Sequence, residues 1–322
     1  MSSESPGAVQ VPVALFVYSR PRQLERTLEC LRDGGVRELH VFSDGAKGEA
    51  DAEGVAEVRR LLSGIDWTEP TVIERGENMG LSSSIRDGLD RLFQTHASAI
   101  VIEDDICVAP EFYEYASLAL RRYEGERAVA GVTGMRCPFS RRAFDGYPYD
   151  VFMSPRFSSW AWATWRDRWR EFDFDKSSLR RQIGAAAGFR PELAGADLPG
   201  MIHDAVVTES LKGSWDVVCA ANMLLQGELF VTPAWNMVEN TGLSEGTHAS
   251  EDPPWQLRWE PEHRPEPGAI RFAPPEQDEQ VLQGYLQCFE HTAEGGSAIA
   301  RARGSAARWR SRHRVRRAWG RL

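Results

Sequence analysis

Four short apolar runs in the first third of the chain, each ending in a polar break, leave few folds open to it. They are VPVALFVYS (11–19), ELHVFSDG (38–45), PTVIERG (70–76) and AIVIEDD (99–105). Three amphipathic stretches lie between them: PRQLERTLECLRDGG (21–35), EADAEGVAEVRRLLSGI (49–65) and SSSIRDGLDRLFQTH (82–96). Leu24, Leu28 and Leu31 share one helical face, and so do Ile85, Leu89, Leu92 and Phe93. Pro21 suits a helix start and Gly34-Gly35 a helix stop. Strands alternating with helices predict an α/β fold with a mostly parallel sheet flanked by helices. Such sheets bind ligands beyond the carboxyl ends of their strands. The polar groups of this chain collect there: Ser19-Arg20, Ser43-Asp44, Arg75 to Gly80, and Glu103 to Asp105.

The fourth run ends in three adjacent acids, Glu103, Asp104 and Asp105. Carboxylates crowded at a buried strand end repel one another unless protons, solvent or a cation intervene. Hard divalent cations such as Mg²⁺ take oxygen ligands, typically one or two carboxylates plus substrate phosphates. The triplet is therefore a candidate metal site. A solvated acidic turn is the plainer reading, and the position after a fourth strand favours the metal.

Composition excludes some classes. No apolar run approaches the roughly 18 residues that span a bilayer, and MSSESPGAVQ has no secretory pattern. Five scattered cysteines with no CxxC pair suggest neither a disulfide framework nor a zinc site, and a cytoplasmic location is expected. The formal charge is −9 for 322 residues. Nine arginines fall in residues 299–322, so the body carries about −18. That acidity argues against nucleic acid. The basic tail, with Trp309, Val315, Trp319 and Leu322, suits the surface of an anionic membrane. A solvated tail is the alternative.

AIVIEDDICVAPEFYEYASLAL resembles the signature of GT-A nucleotide-sugar glycosyltransferases, of the N-acetylglucosaminyltransferase I type and its bacterial family-2-like relatives. FVYSRPRQLERTLECL, VFSDG and RGENMGLSSSIRDGL resemble the successive strand ends of the same family, and the likeness covers residues 11–125 well. It implies a Rossmann-like GT-A fold with a smaller acceptor-side subdomain. It also implies a nucleotide-sugar donor, most often a UDP-sugar, and Mn²⁺ or Mg²⁺. Asp105 would ligate the metal. Glu103 and Asp104 would face the donor, with Ser19, Arg20, Asp44, Asn78, Gly80 and Leu81 beside it. Read without the resemblance, Asn78, Gly80 and Asp44 are turn residues.

The second half holds most of the eleven tryptophans. In FSSWAWATWRDRW (157–169), Trp162, Trp165 and Trp169 have helical spacing and suit a core stripe, while Trp160 breaks the stripe and could stack on a sugar. In SWDVVCAANMLLQGELFVTPAWNMVENTG (214–242), the Trp215-Asp216 step resembles the helix start where the family keeps its base. Asp216 is the expected base, with Trp215 on the acceptor side. Asp204 and Glu209 are its rivals. GLSEGTHAS (242–250) resembles a loop over the diphosphate, with His248 on metal or phosphate. DFD (173–175) reads as a turn, and EQVLQGYLQCFEHTA (279–293) as a last helix.

The expected organisation is a disordered N-terminus (1–10), a donor half (11–125), an acceptor and catalytic half of the same unit (126–293) and a basic tail (294–322). The expected function is metal-dependent, inverting transfer of a sugar to an acceptor hydroxyl on a glycan, glycolipid or small molecule. A sugar nucleotidyltransferase is less favoured, because YSRPRQ lacks the glycines of a triphosphate loop. A non-catalytic nucleotide- or carbohydrate-binding protein on the same scaffold is the other alternative.

Overall fold

The computed structural model describes residues 10–137, 139–211, 214–242 and 269–294. Residues 1–9, His248 with its loop, and the Arg-rich tail lie outside them. The chain begins with β1 (Val13–Val17), α1 (Pro21–Asp33), β2 (Leu39–Ser43), α2 (Glu49–Ser63), β3 (Thr71–Glu74), α3 (Leu81–Leu92) and β4 (Ser98–Glu103). There follow β5 (Ile106–Val108), α4 (Phe112–Tyr123), β6 (Val129–Thr133), β7 (Val151–Ser154), β8 (Trp162–Trp165), α5 (Arg166–Glu171), α6 (Lys176–Ala185) and α7 (Leu198–Ile202). The last elements are α8 (Trp215–Gln226), β9 (Leu229–Pro233), β10 (Val238–Asn240) and α9 (Glu279–Glu294).

One eight-stranded sheet, in the order β3-β2-β1-β4-β8-β6-β9-β7, runs through the molecule. The first four strands are parallel. β8 and β7 run against their neighbours, and β6 and β9 are parallel to each other. The mixed α/β architecture with a mostly parallel sheet is thus the one expected.

Two apolar layers follow from strand alternation. Val13, Leu15 and Val17 of β1 join Leu24, Leu28 and Leu31 of α1 and Phe112 and Tyr115 of α4. Ala14 and Phe16 face the opposite way, against Ile85, Leu89 and Leu92 of α3. Gly88 lets α3 come this close, since a Cβ there would lie 2.5 Å from the Phe16 ring. α9 adds a third cluster, with Val281, Tyr285 and Phe289 against Phe152 of β7 and Cys137.

The tryptophan stripe needs correction. Trp162 to Trp165 form strand β8, and the helix begins only at Arg166. Its residues pair with β4 and β6, and this tertiary pairing overrides a spacing that also fits a helix. An odd separation in a strand sends side chains to opposite faces, so Trp162 enters one layer and Trp165 the other. All three tryptophans are buried, as a core role requires. Asp173-Phe174-Asp175 is a turn, and Asp175 caps α6 by accepting from the N–H groups of Ser177 and Ser178.

Glu228, between α8 and β9, is only 5 % exposed, and its Oε2 has no hydrogen-bond partner among the described residues. Burial, helped by the charge of Glu171, pushes its carboxyl up to about 7. An unfolded glutamate titrates near 4.3, so the stability contributed by the neutral form is lost as pH rises from about 4.3 to about 7. Glu228→Gln is expected to raise the melting temperature at pH 8 by roughly 2–6 °C and to change it little at pH 4. Calorimetry of both proteins at the two pH values checks this.

Candidate functional site

The carboxyl ends of β1, β2 and β4 meet at one edge of the sheet, with the loop after β3 folded beside them. Phe16 pairs with Glu103 at the last register of β1 and β4. The next residues form the turn to β5 that carries Asp104 and Asp105.

Each acid is held differently. Asp104 is 6 % exposed; its Oδ2 accepts from Tyr18 N at 2.9 Å, and its carbonyl accepts from Thr27 Oγ1 at 3.0 Å. Burial and the neighbouring Asp105 charge push its carboxyl up to about 7, while Arg20 and the Tyr18 N–H oppose them. Burial drives Glu103 well above the usual carboxylate range, with Asp105, Asp104 and Asp216 adding to it. Burial also raises Asp105, against the pull of Arg20. Arg20 Nη1 donates to Asp105 Oδ2 and lies 3.8 Å from Asp104 Oδ1. One guanidinium thus faces three crowded carboxyls.

A second segment closes on Asp105. β5 pairs antiparallel with β10, and the Asp105 carbonyl accepts from Thr241 N at 2.8 Å and Thr241 Oγ1 at 3.0 Å. Gly242 follows, and a Cβ there would lie 2.1 Å from Asp105 Oδ2. Only a glycine lets the Asp105 carboxylate pack this closely against the Gly242 backbone. Sequence reasoning missed Thr241 and Gly242. The signal was the Asn-Thr-Gly that ends an apolar strand, but its partner is more than 130 residues away.

These residues fit a divalent cation. The donors are oxygens only, and the carboxyls exceed the positive charge facing them. That is the chemistry Mg²⁺ and Mn²⁺ select. Arg20 now supplies the counter-charge; its side chain is 36 % exposed, so it can move aside.

The residues expected on the nucleotide side are tied to one another. Both oxygens of Asp44 are engaged, by Gly45 N, Met79 N, Gly80 N and Asn78 Nδ2 at 2.9–3.1 Å. Asn78 Nδ2 also donates to Gly45 O. Asp44 therefore clamps the end of β2 to the loop that opens α3. Gly80 precedes α3 with φ +74°, a conformation that favours glycine. Gly45 is more than a turn residue: the Glu77 backbone lies 2.5 Å from where its Cβ would be. Leu81 is exposed beside Met79 at this mouth. Ser19 is held under α2, where Gly54 allows contact with its carbonyl.

On the other side, α8 presents Asp216 in its first turn. Burial raises its carboxyl, and its charge acts on Glu103. The rivals lie elsewhere. Asp204 and Glu209 are both exposed; Asp204 contacts His203, and Glu209 accepts from Arg180 Nη2 at 3.1 Å. Trp215 corrects the acceptor-side expectation. It is 4 % exposed and packs on Trp162 and Phe157 at ring separations of 5.7 and 5.9 Å, so it belongs to the core beneath the site. Trp160 is half-buried and precedes Ala161, whose φ is +48°. A non-glycine residue in this region is strained. The β4–β8 register, ending at Val101 opposite Trp162, carries Trp160 toward the Glu103 end of the sheet.

No family model matches the chain. It is 26% identical over 177 residues to the alpha-1,3-mannosyl-glycoprotein 2-beta-N-acetylglucosaminyltransferase of Arabidopsis thaliana, a match covering 50% of this chain and 39% of that protein. The matched region thus spans about two fifths of that curated relative. Among solved structures, a mannosyltransferase from Pyrobaculum calidifontis in complex with GDP-Man and Mn²⁺ aligns with 98% of this chain and 87% of its own, at a TM-score of 0.43 and 15% identity. A similarity to an N-acetylglucosaminyltransferase is therefore also found by sequence comparison, over half of this chain.

Proposed function

We propose that the chain is a metal-dependent, inverting glycosyltransferase that moves a sugar from a nucleoside diphosphate donor to an acceptor hydroxyl. One observation carries the reading: Glu103, Asp104 and Asp105 crowd at the end of β4, and Asp216 on α8 is close enough to act on Glu103. The similarity to an N-acetylglucosaminyltransferase supports it; a UDP-sugar donor is what the resemblance of the strand-end motifs implies.

Asp105 would hold the cation, with Glu103 and Asp104 turned toward the donor. When bound, the metal supplies positive charge against a departing diphosphate. Asp216 takes the proton of the acceptor hydroxyl as its oxygen bonds to the anomeric carbon. The bond from that carbon to the diphosphate oxygen breaks, and the electron pair leaves with the diphosphate. One displacement inverts the anomeric centre. A raised carboxyl suits Asp216, because it makes the ionised form a stronger base. Trp160 is the aromatic face available to a sugar, and the exposed Leu81 the apolar contact at the donor mouth.

The test is slow hydrolysis of a donor panel, UDP- and GDP-sugars, with Mn²⁺, with Mg²⁺ and with chelator. The expected result is release of one nucleoside diphosphate, dependent on metal. Nucleotide binding without turnover of any donor would favour the binding-protein reading. Pyrophosphate formation from a nucleoside triphosphate and a sugar phosphate would favour the nucleotidyltransferase.

A further inference from the structure

The opposite end of the sheet carries a second constellation. Glu38 stands one residue before β2, His40 is the second residue of β2, and His96 lies between α3 and β4. Glu38 Oε1 is 2.8 Å from His96 Nε2 and 3.4 Å from His40 Nε2. Each residue offers one ligand atom, and all three atoms lie within 4.8 Å of one another. The two imidazole rings meet edge to face at 5.2 Å. The side chains are 34, 17 and 23 % exposed for Glu38, His40 and His96, so the cluster is partly sheltered and still open to solvent.

The orientation of His96 turns its Nε2 toward Glu38. Its Nδ1 lies 3.1 Å from the carbonyl of Leu92, near the end of α3, and 2.9 Å from Thr95 Oγ1. Either tautomer is satisfied there, since the ring can donate to the carbonyl or accept from the hydroxyl. With the hydrogen on Nδ1, the Nε2 lone pair is free for a cation shared with Glu38. A carbonyl on the far nitrogen is also the arrangement that orients metal-bound histidines.

We propose that Glu38, His40 and His96 form a zinc site, separate from the oxygen-ligand site at Asp105. Two imidazoles and one carboxylate suit Zn²⁺ better than Mg²⁺ or Mn²⁺. Ligands about 2.0–2.1 Å from a tetrahedral zinc lie roughly 3.4 Å apart; the His40–Glu38 pair has that separation, and the 2.8 Å His96–Glu38 contact opens to admit the ion. Three protein ligands leave a fourth position for water. Roughly 13 Å of strand separates His40 from Asp44, so this end of β2 is remote from the acid cluster. The bound ion ties the start of β2 to the turn between α3 and β4 and stabilises the fold by mass action.

The test uses the full chain freed of metal and titrated with Co²⁺, whose tetrahedral complexes absorb strongly in the visible, followed by displacement with Zn²⁺. The expected result is one equivalent with a tetrahedral spectrum in the wild type and in Asp105→Asn. In His96→Gln and His40→Gln, affinity falls at least tenfold or the band disappears. Zinc raises the melting temperature of the first pair and not of the second. Should a histidine variant fail to fold, Glu38→Gln removes the anionic ligand with little change of shape, and circular dichroism confirms its fold. The proposal is overturned by a wild type with no tetrahedral band, by a band unchanged in the folded variants, or by one lost in Asp105→Asn alone. A wild type without the band means that a proton bridges His96 and Glu38. No outcome depends on glycosyl transfer, so this site and the proposed activity stand or fall separately.

Discussion

Replacing Asp105 by Asn is expected to abolish metal-dependent nucleotide binding while raising the melting temperature of the metal-free protein. The two effects have one origin. Asp105 is held above the usual carboxylate range by burial, and its charge is the largest one raising Asp104 and Glu103. Without metal at pH 7–8, the ionised cluster opposes folding. A neutral Asn removes one charge and relaxes its two neighbours, and a gain of roughly 2–6 °C follows. The lost ion pair with Arg20 offsets little of this, because that guanidinium is part-exposed and an exposed pair contributes only about 0–1 kcal/mol. With Mn²⁺ the order reverses. The variant lacks the anionic ligand, so nucleoside diphosphate binding weakens about 100-fold or more and donor turnover falls with it. Calorimetric titration of UDP and GDP, with and without Mn²⁺, reads the first effect, and thermal melts in chelator read the second. Unchanged metal-dependent affinity would remove Asp105 from the site, and a lower melting temperature would show that Arg20 outweighs the repulsion.

Asp216→Asn separates chemistry from binding. Asn keeps the shape of the side chain and cannot take a proton, so kcat should fall by about 10²–10⁴. Donor affinity should stay within a few-fold, since the oxygens proposed to ligate the metal belong to the β4–β5 turn. The pH profile gives a second readout. Because burial raises this carboxyl, wild-type kcat should decline on the acid side at a pH above the ordinary carboxylate range. The base must be ionised, so activity rises with pH through its folded pKa. A variant within tenfold of wild type would return the role to another group. Asp204 and Glu209, both exposed and engaged elsewhere, have little claim on it.

The first four strands and three helices were legible because their signals are local. β1 to β4 and α1 to α3 each carry their own periodicity and stops, and they form within four residues of where the pattern places them. The acids of the β4 end were equally visible, being contiguous. Long-range pairing hid the rest. Trp162 and Trp165 satisfy a helical spacing as well as a strand, and only β4 and β6 decide between the two. Trp215 reads as an acceptor-side residue until its packing on Trp162 and Phe157 is seen. Thr241 and Gly242 reach Asp105 through a ribbon of strands distant in sequence. Glu38, His40 and His96 have no motif spacing, because two strand ends and a turn bring them together.

The insertion of β8 between β4 and β6 has a consequence for how the molecule can be made. During synthesis, the first four strands emerge long before Trp162–Trp165, and until then β4 presents an open, apolar edge. Such an edge invites pairing with another chain. The nascent first half thus carries an adhesive edge beside its acid cluster, and the tryptophan strand both seals that edge and joins the halves. The halves are therefore not exchangeable modules: a cut near residue 125 removes the seal along with the acceptor side.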